Sequence, residues 1–132
     1  MQKIAICDKK DAISEISKNI MTIRNKNDIN FEFEGFCSEK ELIESLREGD
    51  CYDIIFLEIE IVEMDVIEYI KKIREYNEYI LVIIITCNRN FMQKSFEARP
   101  FRYLLKPTSF EEFENAFLSA YKYVLNMTRK YI

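Results

Sequence analysis

Residues 53–65 read DIIFLEIEIVEMD. Four apolar residues in a row, Ile54 to Leu57, end at the carboxylate of Glu58, and Glu60 follows among further apolar residues. A run this short and this continuous suits a strand covered on both faces, since a strand with one wet face alternates instead. The question it raises is why a carboxylate stands where a buried strand runs out. Two other runs share its character, KIAIC at 3–7 and YILVIIIT at 79–86. By contrast FEFEGF at 31–36 alternates, as an edge strand does, and FRYLL at 101–105 makes a fifth strand with Pro100 tolerated at its entrance.

Between the strands, apolar residues recur three and four apart: Ile13, Ile16, Ile20 and Ile23, then Leu42, Ile43 and Leu46, then Ile67, Ile70 and Ile73. Each set gives a helix one apolar stripe to lay on a sheet. Ser38 with Glu41, Asp65 with Glu68 and Ser109 with Glu112 have the spacing that satisfies the free amides of a helix start. A fourth helix is expected around 90–97. A fifth is expected over about 109–128, with Phe110, Phe113, Phe117 and Tyr121 along a core-facing stripe. Strands alternating with helices imply a doubly wound five-stranded parallel sheet, because right-handed crossovers place helices on both faces.

Residues 1–132 read as a single domain: there is no repeat and no linker-like stretch, and only two glycines and two prolines occur. No apolar run approaches the roughly 18 to 20 residues of a membrane span. The start, MQKIAICDKK, turns charged too early for a secretory signal, so a cytoplasmic location without membrane contact is expected. Cys7, Cys37, Cys51 and Cys87 match no zinc spacing and no histidine is present, which predicts free, mostly buried thiols. The lack of histidine also excludes imidazole relays, triad hydrolases and phosphohistidine donors. The net charge of -4 hides an asymmetry: thirteen acids against Lys40 and Arg47 over 32–68, but five bases against Glu97 over 89–106. The fold must therefore present two opposed fields.

In doubly wound sheets ligands meet the loops beyond the carboxyl ends of the strands. Those ends supply Asp8 and Lys9, Glu58, Thr86 and Lys106. One polar residue at a strand end means little; a carboxylate, a hydroxyl and a lysine converging on one crevice mean more. A nucleotide- or flavin-binding domain of similar topology would need a glycine-rich loop after the first strand, and Gly35 and Gly49 stand alone and elsewhere.

IAICD at 4–8, DIIFLEIE at 53–60, IIIT at 83–86 and FRYLLKP at 101–107 resemble the receiver domains of two-component response regulators over nearly the whole chain, particularly those of the LytTR class of transcription regulators. The resemblance implies the flavodoxin-like (βα)5 receiver fold with strand order 2-1-3-4-5. It implies a non-enzymatic signalling role fed by a sensor histidine kinase, and transcriptional control through an attached or partner DNA-binding domain that is absent from this chain. It further implies roles by position: Asp8 as one of an acidic pair, Glu58 at the phosphoacceptor position, Thr86 and Lys106 as contacts of the phosphoryl oxygens, Tyr103 as the switch aromatic, and a cis bond before Pro107. Its implied output surface is helix 4, strand 5 and helix 5, where Arg89, Lys94, Arg99 and Arg102 would meet a protein partner or a second copy. No nucleic acid contact by this domain is expected.

Two positions depart from that pattern. Lys9 stands in place of the second metal-binding acid, and Glu58 in place of the acceptor aspartate; Val62, Glu63 and Val66 replace the prolines and glycines usual in the following loop. Mg²⁺ is drawn by clustered carboxylates. Here Asp8 and Glu58 face Lys9 and Lys106 and the formal charges cancel, so no cofactor and little Mg²⁺ binding are expected, Asp8 and Glu60 being the weak metal candidates. If the Lys9 ammonium enters the crevice, it supplies the counter-charge a metal would bring. The extra methylene of Glu58 displaces its carboxylate by about an ångström, and a misplacement of that size can cost about a hundredfold in an in-line attack. The same methylene brings the carboxylate toward Thr86 and Lys106, where it would partly mimic a phosphoryl group; a conformation set by a partner or small ligand is the other reading. The alternative function is an active receiver that accepts phosphate on Glu58 or Asp8 with Mg²⁺.

Overall fold

The computed structural model describes the backbone of residues 1–130 and the side chains of residues 1–127. Strands β1 (Gln2–Cys7), β2 (Phe31–Phe36), β3 (Ile54–Leu57), β4 (Leu81–Thr86) and β5 (Arg102–Leu105) form one parallel sheet in the order β2-β1-β3-β4-β5. Helices α1 (Lys10–Asn27), α2 (Glu39–Arg47), α3 (Val66–Tyr76), α4 (Met92–Ser95) and α5 (Phe110–Lys130) connect the strands and close the chain. This is the doubly wound receiver-type topology that the alternation of elements predicts. Among the described residues no helix is long and apolar enough to cross a membrane.

The continuity of IIFL has a direct cause in the layers. Ile54 and Phe56 face the side covered by α1 and α5, with Ile4, Ile6, Ile83 and Ile85. Ile55 and Leu57 face the side covered by α2 and α3, with Ala5, Cys7, Val82 and Ile84. Successive side chains point to opposite faces, so a strand with helices on both sides must be apolar at every position. Each such buried Ile, Leu or Phe stabilises the fold by about 1.5–3 kcal/mol relative to exposure. The aromatic stripe of α5 is core: Phe113 and Phe117 stack on Phe56 with ring centroids 5.1 and 6.1 Å away.

Strand β2 lies at the sheet edge, and its alternating EFE is partly exposed as expected. Gly35 is required by close approach, because a Cβ there would come within 2.7 Å of Ile13 Cγ2 on α1. All three cap pairs form: the side chains of Ser38, Asp65 and Ser109 accept from the amides of Glu41, Glu68 and Glu112. Glu41 also accepts from the Cys37 amide, one residue before the Ser38 cap, and so ties down the entry to α2. The fourth helix is shorter than the 90–97 segment expected. It is one α-turn followed by a 3-10 turn over Phe96–Ala98 that ends at Arg99 in the left-handed region, φ 53°. The Asn88 side chain before it takes the Phe91 amide, and Pro100 stops it.

The expectation of mostly buried thiols is corrected. Only Cys7 is buried; Cys37, Cys51 and Cys87 are exposed. Cys7 lies in a central strand, whereas Cys37 and Cys51 flank α2 and Cys87 follows β4, so the loops carry the other three to the surface. Burial pushes the Cys7 thiol up to about 12. A thiol reagent applied to the folded protein near neutral pH should therefore modify three cysteines promptly and Cys7 at least about a hundredfold more slowly. Mass spectrometry of the labelled chain reads this directly, and prompt labelling of Cys7 would contradict the packing of β1.

Candidate functional site

Strand register builds the site before any side chain is considered. Cys7 pairs with Leu57, so the next residues, Asp8 and Glu58, emerge side by side, and the Glu58 amide donates to the Cys7 carbonyl at 2.9 Å. Thr86 pairs with Leu105, so Lys106 follows on the neighbouring edge, its amide donating to the Thr86 carbonyl at 2.9 Å. Asp8 and Glu58 are buried, at 1% and 4% exposure, which sets two like charges together away from water.

Lys106 resolves that conflict. Its ammonium donates to Asp8 Oδ2 and to Glu58 Oε1, each at 2.9 Å. Burial lowers the tendency of this amine to hold its proton, but the two carboxylates outweigh it, and the pKa stands above the ordinary lysine value. The remaining oxygens are used as well: Asp8 Oδ1 accepts from the Lys9 amide at 2.6 Å, and Glu58 Oε2 accepts from the Glu60 amide at 3.1 Å. Glu58 thereby caps the 3-10 turn Ile59–Ile61, which carries the chain out of β3 without a glycine or proline.

The idea that the Lys9 ammonium fills the crevice is not borne out. Lys9 is exposed and, among the described residues, forms no ion pair. As the residue that starts α1 it gives Asp8 its backbone amide, while the longer reach from β5 belongs to Lys106. Nor does Glu58 meet Thr86. The Thr86 hydroxyl, fully buried, accepts from the Asn88 amide at 3.3 Å, and the Glu58 oxygens are taken by Lys106 and Glu60. Glu60, the weak metal candidate, contributes its amide while its side chain is exposed.

Sequence reasoning missed Asn88. Its amide is held by Thr86, its carbonyl accepts from the Tyr103 hydroxyl, and its side chain accepts from the Phe91 amide at 3.2 Å. An asparagine two residues beyond a strand-end threonine is a turn signal that was available. Tyr103 itself packs against the core on the α2 and α3 side. Burial, then the charges of Glu58 and Glu60, raise its phenol above the ordinary value. Thr86 and the switch-position aromatic are thus joined through one residue. Arg89, Lys94, Arg99 and Arg102 are all exposed around α4 and β5, and the Arg102 guanidinium lies over the Phe101 ring at 4.4 Å.

Among the described residues no cluster of three or more acids, cysteines or histidines converges, and the two crevice carboxylates already share an ammonium.

A parallel five-stranded sheet with buried acids, a hydroxyl and a lysine at its carboxyl edge defines a receiver domain. The model of the response regulator receiver domain family matches residues 4–118, and the chain belongs to that family, whose members act in two-component signalling through protein partners that include sensor kinases. The chain is 32% identical over 90 residues to the sensory transduction protein LytR of Staphylococcus haemolyticus, and it spans about a third of that relative's length (35%). Among solved structures it is similar to the response regulatory domain of protein mrkE from Klebsiella pneumoniae, with a TM-score of 0.79, 24% identity and coverage of 92% of this chain and 96% of that one. It is also similar to a BeF3-activated DrrB receiver domain, with a TM-score of 0.75, 19% identity and coverage of 92% and 98%.

Replacing Lys106 by methionine keeps the stem and removes the charge that two buried carboxylates share. The expected loss is about 2–4 kcal/mol in urea unfolding at pH 7, the lysine being partly exposed and the pair therefore below the fully buried range. Unpaired carboxylates bind protons more tightly folded than unfolded, so the deficit should shrink as pH falls from about 7 toward about 5. In the native protein the Lys106 contribution is complete below the ordinary lysine pKa and fades only as pH rises through its raised value. A deficit in the variant that grows on acidification would contradict the bridge.

Proposed function

We propose that this chain is a degenerate receiver domain of the LytTR regulator type, which signals through protein contacts rather than by accepting a phosphoryl group. The observation that carries this reading is the Lys106 bridge. The lysine that would hold phosphoryl oxygens instead bridges Asp8 and Glu58, and the second oxygen of Glu58 is committed to the Glu60 amide. With Glu58 where the acceptor aspartate stands and Lys9 where the second acid stands, in-line attack loses its alignment and the metal that would steady the transferring group loses its charge cluster. Mg²⁺ therefore binds weakly, and no cofactor is needed.

In this reading the domain is not an enzyme, works in the cytoplasm, and influences transcription through an attached or partner DNA-binding domain without touching nucleic acid itself. The likeness to LytR, in a stretch that is a minority of that protein, supports the class. The output surface is α4, β5 and α5, where Arg89, Lys94, Arg99 and Arg102 offer exposed cations to a partner's or a second copy's acids. State is set by which partner binds, since a ligand shifts a two-state element only by binding one state better.

Incubation with Mg²⁺ and acetyl phosphate, followed by intact-mass measurement, should leave the chain unmodified. A phosphoryl adduct mapped to Glu58 or Asp8 would establish the active receiver instead. Restoring both acids, Glu58→Asp with Lys9→Asp, should raise Mg²⁺ affinity at least about tenfold in calorimetric titration, because charge balance governs capture of a hard cation. An unchanged affinity would show that geometry rather than charge excludes the metal.

A further inference from the structure

The other end of the sheet holds a second feature. Where the strands begin, a cavity of about 670 Å³ opens between the loop preceding β4, the Arg99 corner before β5 and the last turns of α5. Ile80, Leu81, Tyr123, Val124 and Met127 give it an apolar wall, and its charged lining is Arg74 and Arg99 with the carboxylates of Asp53 and Glu78. That volume lies in the range of small-molecule sites, which combine an apolar lining with few polar anchors.

The two arginines stand close together, one half-buried and one exposed. Arg74 is half-buried on α3, and its guanidinium donates to the Ala98 carbonyl and, at 2.8 Å, to the Arg99 carbonyl. The Arg99 side chain is close enough that its charge, after burial, helps lower the pKa of Arg74. Neither guanidinium forms an ion pair among the described residues. Asp53, which also lines the cavity, has Oδ2 committed to the Lys3 amide at 2.9 Å. A half-buried charge such as Arg74 is ordinarily paired, and an anion reaching it beside the exposed Arg99 would relieve the repulsion between the two cations. Two peptide carbonyls satisfy part of Arg74 and leave further N–H donors, with those of Arg99, for a ligand.

We propose that this cavity is a binding site for a small anionic molecule with an apolar, ring-sized body, its phosphate- or carboxylate-like group held between Arg74 and Arg99 and its body against Tyr123, Ile80 and Met127. Guanidinium forks match planar or tetrahedral oxyanions, and a ring-sized body suits the lining. Such a ligand would clamp α3 to the 3-10 turn before β5, which Arg74 already touches, and so act on the α4–β5 segment from the side opposite the crevice. The site does not depend on whether Glu58 accepts a phosphoryl group.

The probe is phenylphosphonate, which cannot donate a phosphoryl group, with methylphosphonate and inorganic phosphate as comparisons. The control variant is Arg99→Gly, because glycine is at home at φ 53° and the fold is retained when the guanidinium is removed. Backbone amide NMR titration should show saturable shifts at 77–81 and 98–99 for phenylphosphonate, with about tenfold or more weaker binding in Arg99→Gly and for methylphosphonate. Arg74→Lys, which keeps the charge and loses the fork, should fall between. Absence of saturation in the native chain, equal affinity in Arg99→Gly, equal affinity for inorganic phosphate, or shifts confined to Asp8 and Lys106 would each overturn the proposal.

Discussion

One ammonium holds the carboxyl edge of this sheet together. Parallel register forces Asp8 and Glu58 to emerge as neighbours, and both are buried. Two buried carboxylates in one place are tolerable only with a counter-charge and with their other oxygens hydrogen-bonded. Lys106 provides the first requirement, and the amides of Lys9 and Glu60 provide the second. The arrangement ties β1, β3 and β5 at one point, so the position of β5 on the sheet edge and the charge state of the crevice are a single question.

That coupling extends outward by a short path. Lys106 shares a backbone hydrogen bond with Thr86, the Thr86 hydroxyl holds Asn88, and Asn88 takes the Tyr103 hydroxyl through its carbonyl. A partner pressing on α4 or β5 meets this path within one residue of the crevice. Any state in which Thr86 turned to the crevice would have to give up its bond to Asn88. A partner must therefore repay those hydrogen bonds with contacts of its own, each net bond being worth about 0.5–1.5 kcal/mol. On the proposed output surface, the exposed cations around α4 and β5, set apart from the acids concentrated toward the β2 edge, would favour an acidic partner.

The fold was legible because it is written in patterns that packing enforces. A strand covered on both faces leaves a continuous apolar run, an edge strand leaves alternation, and the capped helices announce their starts; IIFL, FEFEGF and the Ser38, Asp65 and Ser109 boxes each carried their meaning in a few residues. The strand-end residues Asp8, Glu58, Thr86 and Lys106 were legible for the same reason. What the sequence left open was which of two lysines would serve the crevice. Lys9 is adjacent in the chain and Lys106 is remote, and adjacency misled. The residue that begins a helix spends its amide on the preceding acid, and the long stem of Lys106, arriving from the edge strand β5 beyond β4, spans both carboxylates. Loop exposure of Cys37, Cys51 and Cys87, the shortened α4, and the bridging role of Asn88 depend on tertiary path, which short-range pattern does not encode.

The carboxylate at the end of IIFL then has two duties that its length allows together. Aspartate and glutamate can each cap a turn, and each can meet a lysine. The loop after β3 lacks the glycine and proline that would shape it, and its 3-10 turn instead hangs on a Glu58 oxygen accepting from the Glu60 amide. The other oxygen must still reach the ammonium that Asp8 requires. A side chain with one more rotatable bond can satisfy both at ordinary hydrogen-bond distances, one oxygen to each partner. The missing turn residues and the glutamate are therefore parts of one solution. The residue shapes its own loop through one oxygen and shares the Lys106 ammonium with Asp8 through the other.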